Sequence, residues 1–436
     1  MSRPAPLLIR NARVIDPASG LDATGFVGIR DGRIAEIGRG EPAGSYAETL
    51  DANGLWLIPG ILDLAVRCRE PGQTHKASFR SEIPAALSAG ITGIVLPPDT
   101  SPAIDSPAIV TRIQRTAKAA GPLDVHILGA LTKGLAGDAL SEMSALRQAG
   151  CVGVGNGLAP LGNSLISRRA LEYAKGLDLT VHLFAQDAAL SNGGCAHEGP
   201  VGTRLGLAPI PVAAEVAALR FWISLVEDTG ASVHFCRLST AKGAGLVESA
   251  QRRGLPVTAD VAIHQLFLTD EDVDGFNAQC HVIPPLRSRE DRDGLRAAVR
   301  SGVIGAICSD HQPHEADAKT NPFPQTEPGM SGLESLLPLA LRLAAETGMP
   351  PLDLIARLTI GPAAIADIGA GSLAVGRWAD LALLDPRARW RLQATRLLSA
   401  GRNTAFDGSE MHGRVRCTLH RGTIVFEAAA TRDDAR

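Results

Sequence analysis

The chain has 436 residues, 45% of them hydrophobic and 20% charged, which fits a soluble globular protein with one large core or several and excludes a disordered polymer. A formal net charge of −3 provides no basic surface for nucleic acid. Seven cysteines without a CxxC pair indicate neither a disulfide framework nor a structural zinc site, and read as reduced cytoplasmic thiols.

The first residues, Met1 to Arg10, lack a signal-peptide apolar stretch, and no run of about 18 uncharged apolar residues occurs anywhere, so no membrane span is expected. Residues 6 to 58 alternate short apolar runs with Gly and Asp turns: Leu7 to Arg10, Ala12 to Asp16, Gly25 to Ile29, Arg33 to Gly38. That texture predicts strands and tight turns. It returns at Ala379 to Asp385, Val415 to Leu419 and Thr423 to Phe426. The two ends, 1–58 and 367–436, are expected to pair into one small β-sandwich, with a frayed polar tail from Thr431.

The middle, 59–366, differs. Apolar runs at Gly93 to Leu96, Val125 to Ala130, Leu179 to Phe184, Ser232 to Cys236 and Ile304 to Cys308 each end in polar residues. Amphipathic segments such as Ser167 to Lys175 separate them. Repeated βα units over this length predict a (β/α)8 TIM-like barrel, whose chemistry sits at the C-terminal ends of the strands. An open doubly wound sheet is the alternative with the same texture.

Short motifs run through the chain in order. They are Arg69-Glu70-Pro71-Gly72, Pro98-Asp99-Thr100-Ser101-Pro102, Gly129-Ala130-Leu131-Thr132-Lys133-Gly134, Pro284-Pro285-Leu286-Arg287 and Asp310-His311-Gln312-Pro313-His314. Gly332-Leu333-Glu334, the run from Gly371 to Asp385, and Gly401-Arg402-Asn403-Thr404 complete the set. Together the sequence resembles the dihydroorotase family of the amidohydrolase superfamily nearly end to end. The REPG, DHxPH and GRNT elements favour dihydroorotase over the hydantoinases and allantoinases.

The resemblance implies a binuclear zinc site that generates hydroxide from a bridging water, with an aspartate shuttling the proton. It also implies where the ligands belong. The His-x-His pair of the metal-binding strand that opens the barrel falls on Ala65 and Arg67. The bridging carboxylate falls at Gly155-Asn156-Gly157, the next two histidines on Phe184 and Arg237, and only Asp310 keeps its type. Methyl, phenyl and guanidinium groups have no lone pair to give a metal. No metal ligation and no cofactor are therefore expected, and Asp310 is expected to be a vestigial proton shuttle.

Of the groups that grip the substrate carboxylate in the family, Arg69 and His314 are present. Asp99 replaces an Asn with a repelling charge, and Ile283 replaces another with a group that donates nothing. A slipped alignment would leave a mononuclear zinc site of His182, His311 and Asp310, whereas His182 and His234 otherwise read as packed barrel histidines, with His234 facing away from Arg237. Arg67 and Arg237 are expected to enter the vacated cavity and pair with Asp310; the alternative is that they snorkel to solvent.

The resemblance implies three functions. The first is a catalytically inactive homologue in pyrimidine biosynthesis, a structural subunit for the aspartate carbamoyltransferase catalytic subunit, in a homo- or hetero-oligomer. The second is an active dihydroorotase, interconverting dihydroorotate and N-carbamoyl-aspartate with a rearranged or single-metal zinc site. The third is a scaffold for a different partner.

Overall fold

The computed structural model describes residues 5–429, so the polar tail from Thr431 lies outside it. Eight parallel strands form the central barrel and are numbered here in chain order. They are β1 Ile61–Asp63, β2 Ile91–Leu96, β3 Asp124–Ala130, β4 Cys151–Gly155, β5 Thr180–Leu183, β6 Val233–Phe235, β7 Val257–Ala262 and β8 Ala306–Cys308. Each pairs with its neighbour in sequence order. The ring closes at its upper rim. His311 N donates to Ala65 O at 2.9 Å, and Arg67 N donates to His311 O at 3.0 Å.

Parallel strands are covered on both faces, so they read as continuous apolar runs. All six residues of β2 are buried. The outer helices pack their small apolar faces inward. Ser164–Lys175 buries Ala170, Leu171 and Ala174, and Asn163 caps it by accepting from Leu165 N and Ile166 N.

Both chain ends contribute to a second sheet, as the sequence predicts. Trp56–Pro59 is the joint: it pairs with Leu7–Asp16 on one side and antiparallel with Leu381–Arg391 on the other. This strand links the two halves edge to edge into one hydrogen-bonded sheet. It encloses its own core, including Ile9, Val27, Leu57, Leu381 and Leu419. The expected runs at Leu7 to Arg10 and Ala12 to Asp16 are one strand, Leu7–Asp16, bulged at Asn11, whose φ is 63°.

Candidate functional site

The upper rim gathers the residues that the sequence placed there. Arg67 follows β1, Asp99 follows β2, Gly157 follows β4, Phe184 follows β5, Arg237 follows β6 and Asp310 follows β8. Arg67 Nη1 donates to Asp310 Oδ1 at 3.1 Å, and Arg237 Nη1 donates to the same oxygen at 3.3 Å. Asp310 is 1% exposed, Arg67 4% and Arg237 3%. Both arginines therefore turn inward and neither snorkels.

The network extends beyond that pairing. Arg67 Nε and Nη2 both donate to Asp99 Oδ2, at 3.0 and 2.9 Å. Arg237 Nη2 donates to Gly157 O at 3.1 Å, and its guanidinium sits 5.1 Å from the Phe184 ring centroid. A side chain at Gly157 would put its Cβ 2.9 Å from Asp99 Cβ, and its φ is +61°. Asp99 and the left-handed backbone together leave no room there for a carboxylate-bearing residue.

Two buried cations facing one buried and one half-buried carboxylate compensate each other. Burial pushes the Asp310 carboxyl up, but Arg237 and Arg67 outweigh it and hold it below the ordinary carboxylate value. Asp99 follows the same logic, with burial opposed chiefly by Arg67. The Asp99 charge, read from sequence as a repulsion toward a substrate carboxylate, is thus bound to Arg67. Its long-range effect is correspondingly muted, because a charge already paired presents little net field. Arg69, Arg237 and Asp310 all hold positive φ, at 59°, 55° and 46°, the backbone strain common at functional rims.

Arg69 and His314 lie together beside this network. Arg69 Nη2 is 2.8 Å from His314 Nε2, Arg69 Nε donates to Pro313 O at 3.0 Å, and Lys76 Nζ is 3.2 Å from His314 Nδ1. Burial first, then the Arg69 and Lys76 charges, lower the His314 pKa to about 3, so its ring is neutral. A cavity of about 240 Å³ opens here, lined by Arg67, Arg69, Gln73, Asp99 and Ser101. Ile283 is half-buried in the loop before Pro284, and Ala65 is packed among Leu62, Leu64 and Val95.

The alternative donors are placed differently from the sequence reading. His311 is fully engaged: Nε2 lies 2.8 Å from Glu82 Oε2, and Nδ1 accepts from Gly332 N at 3.1 Å. It does not face His182. His234 does not face away from the interior. Its register partner on β5 is His182, and the two rings are 5.2 Å apart. The strand ends at Phe235 and the positive φ of Arg237 resets the side-chain alternation, so counting by two from Arg237 gives the wrong face. Asp260 on β7 was missed by sequence. Its Oδ2 lies 2.9 Å from His234 Nε2 and its Oδ1 accepts from Arg237 N. A single acid within the apolar run Val257–Ala262 was the available signal.

The dihydro-orotase-like family model matches residues 54–243, and the amidohydrolase family model matches 223–425. A protein of Pseudomonas aeruginosa named dihydroorotase-like protein is 49% identical over 96% of this chain and 99% of its own length. The chain belongs to the dihydroorotase family of the amidohydrolases. A dihydroorotase of Geobacter sp. strain M21 is 40% identical to this dihydroorotase-like chain, over 97% of it and 99% of the Geobacter protein. The solved structure of an L-hydantoinase from Arthrobacter aurescens superimposes with a TM-score of 0.88 at 23% identity, covering 97% of this chain and 96% of that one; it shares the fold. Among the described residues no helix is long and apolar enough to cross a membrane.

Proposed function

We propose that this dihydroorotase homologue does not turn over dihydroorotate and serves as a structural subunit for the aspartate carbamoyltransferase catalytic subunit. The single observation that carries the loss of catalysis is the double guanidinium grip on Asp310 Oδ1. In the family that carboxylate must be free to ligate metal and to move a proton. Here its oxygen accepts from two permanent cations, which favour the anion and oppose protonation. The donor set does not fit a pair of zinc ions. Ala65, Arg67, Gly157, Phe184 and Arg237 supply no ligand atom, and two fixed positive charges repel divalent cations from the same space.

Assembly rests on the family resemblance together with the state of the fold. The barrel, the rim loops and the composite sheet are intact around a rim without ligands, the pattern expected of a subunit kept for its shape. The purified protein is to be assayed with dihydroorotate and with N-carbamoyl-aspartate, then mixed with the carbamoyltransferase chain of the same cell. Expected are no turnover in either direction and a co-eluting complex with altered carbamoyltransferase activity. Turnover lost in Asp310→Ala would overturn the inactive reading. Separate elution with unchanged carbamoyltransferase activity would overturn the partner.

A further inference from the structure

One level below the arginine network, toward the strand N-termini, His182 on β5, His234 on β6 and Cys236 just after β6 converge. One ligand atom from each lies within 4.8 Å of the others. We propose that these three side chains form a second site, for one borderline-soft divalent transition-metal ion, separate from the rim where the family holds its metals.

Four observations support it. His182 Nε2 is buried with no hydrogen-bond partner among the described residues, which is costly for a ring nitrogen of a residue 3% exposed unless something binds that ring. The chain makes room for this ring. A Cβ at Gly153 would come within 3.1 Å of His182 Nε2. His234 is already oriented, with Thr258 Oγ1 2.9 Å from Nδ1 and Asp260 Oδ2 2.9 Å from Nε2. A metal bound through Nδ1 would take the place of the Thr258 contact, leaving Asp260 on Nε2 to orient the ring. Cys236 is a free thiol, partly accessible, with only a weak contact to His234 O at 3.9 Å.

The chemistry of the set selects the ion. Two imidazoles and one thiolate match zinc-like ions, not magnesium or calcium. Bonds of about 2.0–2.3 Å bring ligand atoms to about 3.5 Å separation, so binding requires shifts of about 1 Å, within side-chain rotation. The Cys236 sulfur loses its proton to solvent as the metal–sulfur bond forms. With the metal in place the thiolate and Asp260 balance the dication, and the arginines above keep Asp310 and Asp99 as their own counter-ions. The ion would pin β5 to β6 beneath a rim that holds none.

Cobalt(II) is the probe. It is added to the metal-free full-length protein, and the near-ultraviolet thiolate-to-cobalt charge-transfer band is followed. The band is expected to saturate at one equivalent, and to vanish in Cys236→Ser and in His182→Gln, each checked for folding by its near-ultraviolet circular dichroism before metal is added. Absence of the band in the wild-type protein at excess cobalt would overturn the site. So would a band that persists in Cys236→Ser, since the ion would then be held elsewhere. If one variant fails to fold, the other decides by the same criterion.

Discussion

Asp310 and His311 are adjacent in sequence and belong to two regions of opposite character. Asp310 lies in the rim, where the Arg67 and Arg237 guanidinium groups converge on one of its carboxylate oxygens. His311 belongs to the frame around it, where family elements are intact and fully bonded. Its ring joins Glu82 of the first barrel helix to Gly332 at the start of helix Leu333–Thr347. Asn403, from the GRNT element, ties three loops together. Its Oδ1 accepts from His314 N at 2.9 Å and Ser331 Oγ at 3.0 Å, and its Nδ2 donates to Gln312 O at 2.9 Å and Gly329 O at 3.1 Å. The difference teaches that two neighbouring residues can be held by unlike means: the rim by buried ion pairs, the frame by hydrogen bonds between loops.

The sharpest way to break this contrast is Asp310→Ala. If Asp310 is now an electrostatic keystone, its removal strands Arg237 in a buried site with Gly157 O as its remaining hydrogen-bond acceptor. The expected loss is about 3–5 kcal/mol, read from urea unfolding. A loss below about 1 kcal/mol would mean that water already screens the cluster and that the rim is looser than the frame. Asn403→Ala tests the other region. Four hydrogen bonds at a buried side chain, each with a net worth of about 1 kcal/mol, give an expected loss of about 2–4 kcal/mol. An unchanged unfolding midpoint would show that the GRNT element does not brace the loops.

Much of this division was legible before any coordinates. Barrel strands β2, β3, β5, β6 and β8 announced themselves as apolar runs ending in polar residues, because parallel strands buried on both faces cannot be otherwise. Two strands were harder. Cys151–Gly155 has alternating glycines, which weaken any strand signal, yet those glycines make space for His182. Val257–Ala262 is interrupted by Thr258 and Asp260, which breaks up its apolar run and hides the acid's place in the barrel. The pairing of Arg67 and Arg237 with Asp310 followed from charge alone. The double donation to one Asp99 oxygen did not, since residues 67 and 99 are brought together only by the neighbouring ends of β1 and β2. The facing of His234 was misjudged because period-two counting fails across a left-handed residue.

The two regions should also separate along the pH axis. Burial is the leading cause that lowers His264 to about 4, His281 to about 4 and His314 to about 3, all well under the ordinary value near 6.5. In the folded chain these rings stay neutral where the unfolded chain protonates them. Stability from them is therefore full above about pH 6.5 and is lost as pH falls toward 4, by about 1 kcal/mol per pH unit for each ring. Asp63, raised by burial to about 6, runs the other way: below pH 6 the folded state holds the extra proton, which offsets about one histidine. Asp310 and Asp99, held below the ordinary carboxylate value by the arginines, contribute fully until pH falls under about 4. Urea midpoints followed from pH 7.5 to 4 should thus decline from about 6.5 onward, before the rim carboxylates titrate. His264→Gln should remove one proton's worth of that slope. Flat stability down to pH 4.5 would mean that these rings are already charged in the folded protein, and the buried frame would then be wetter than its hydrogen bonds imply.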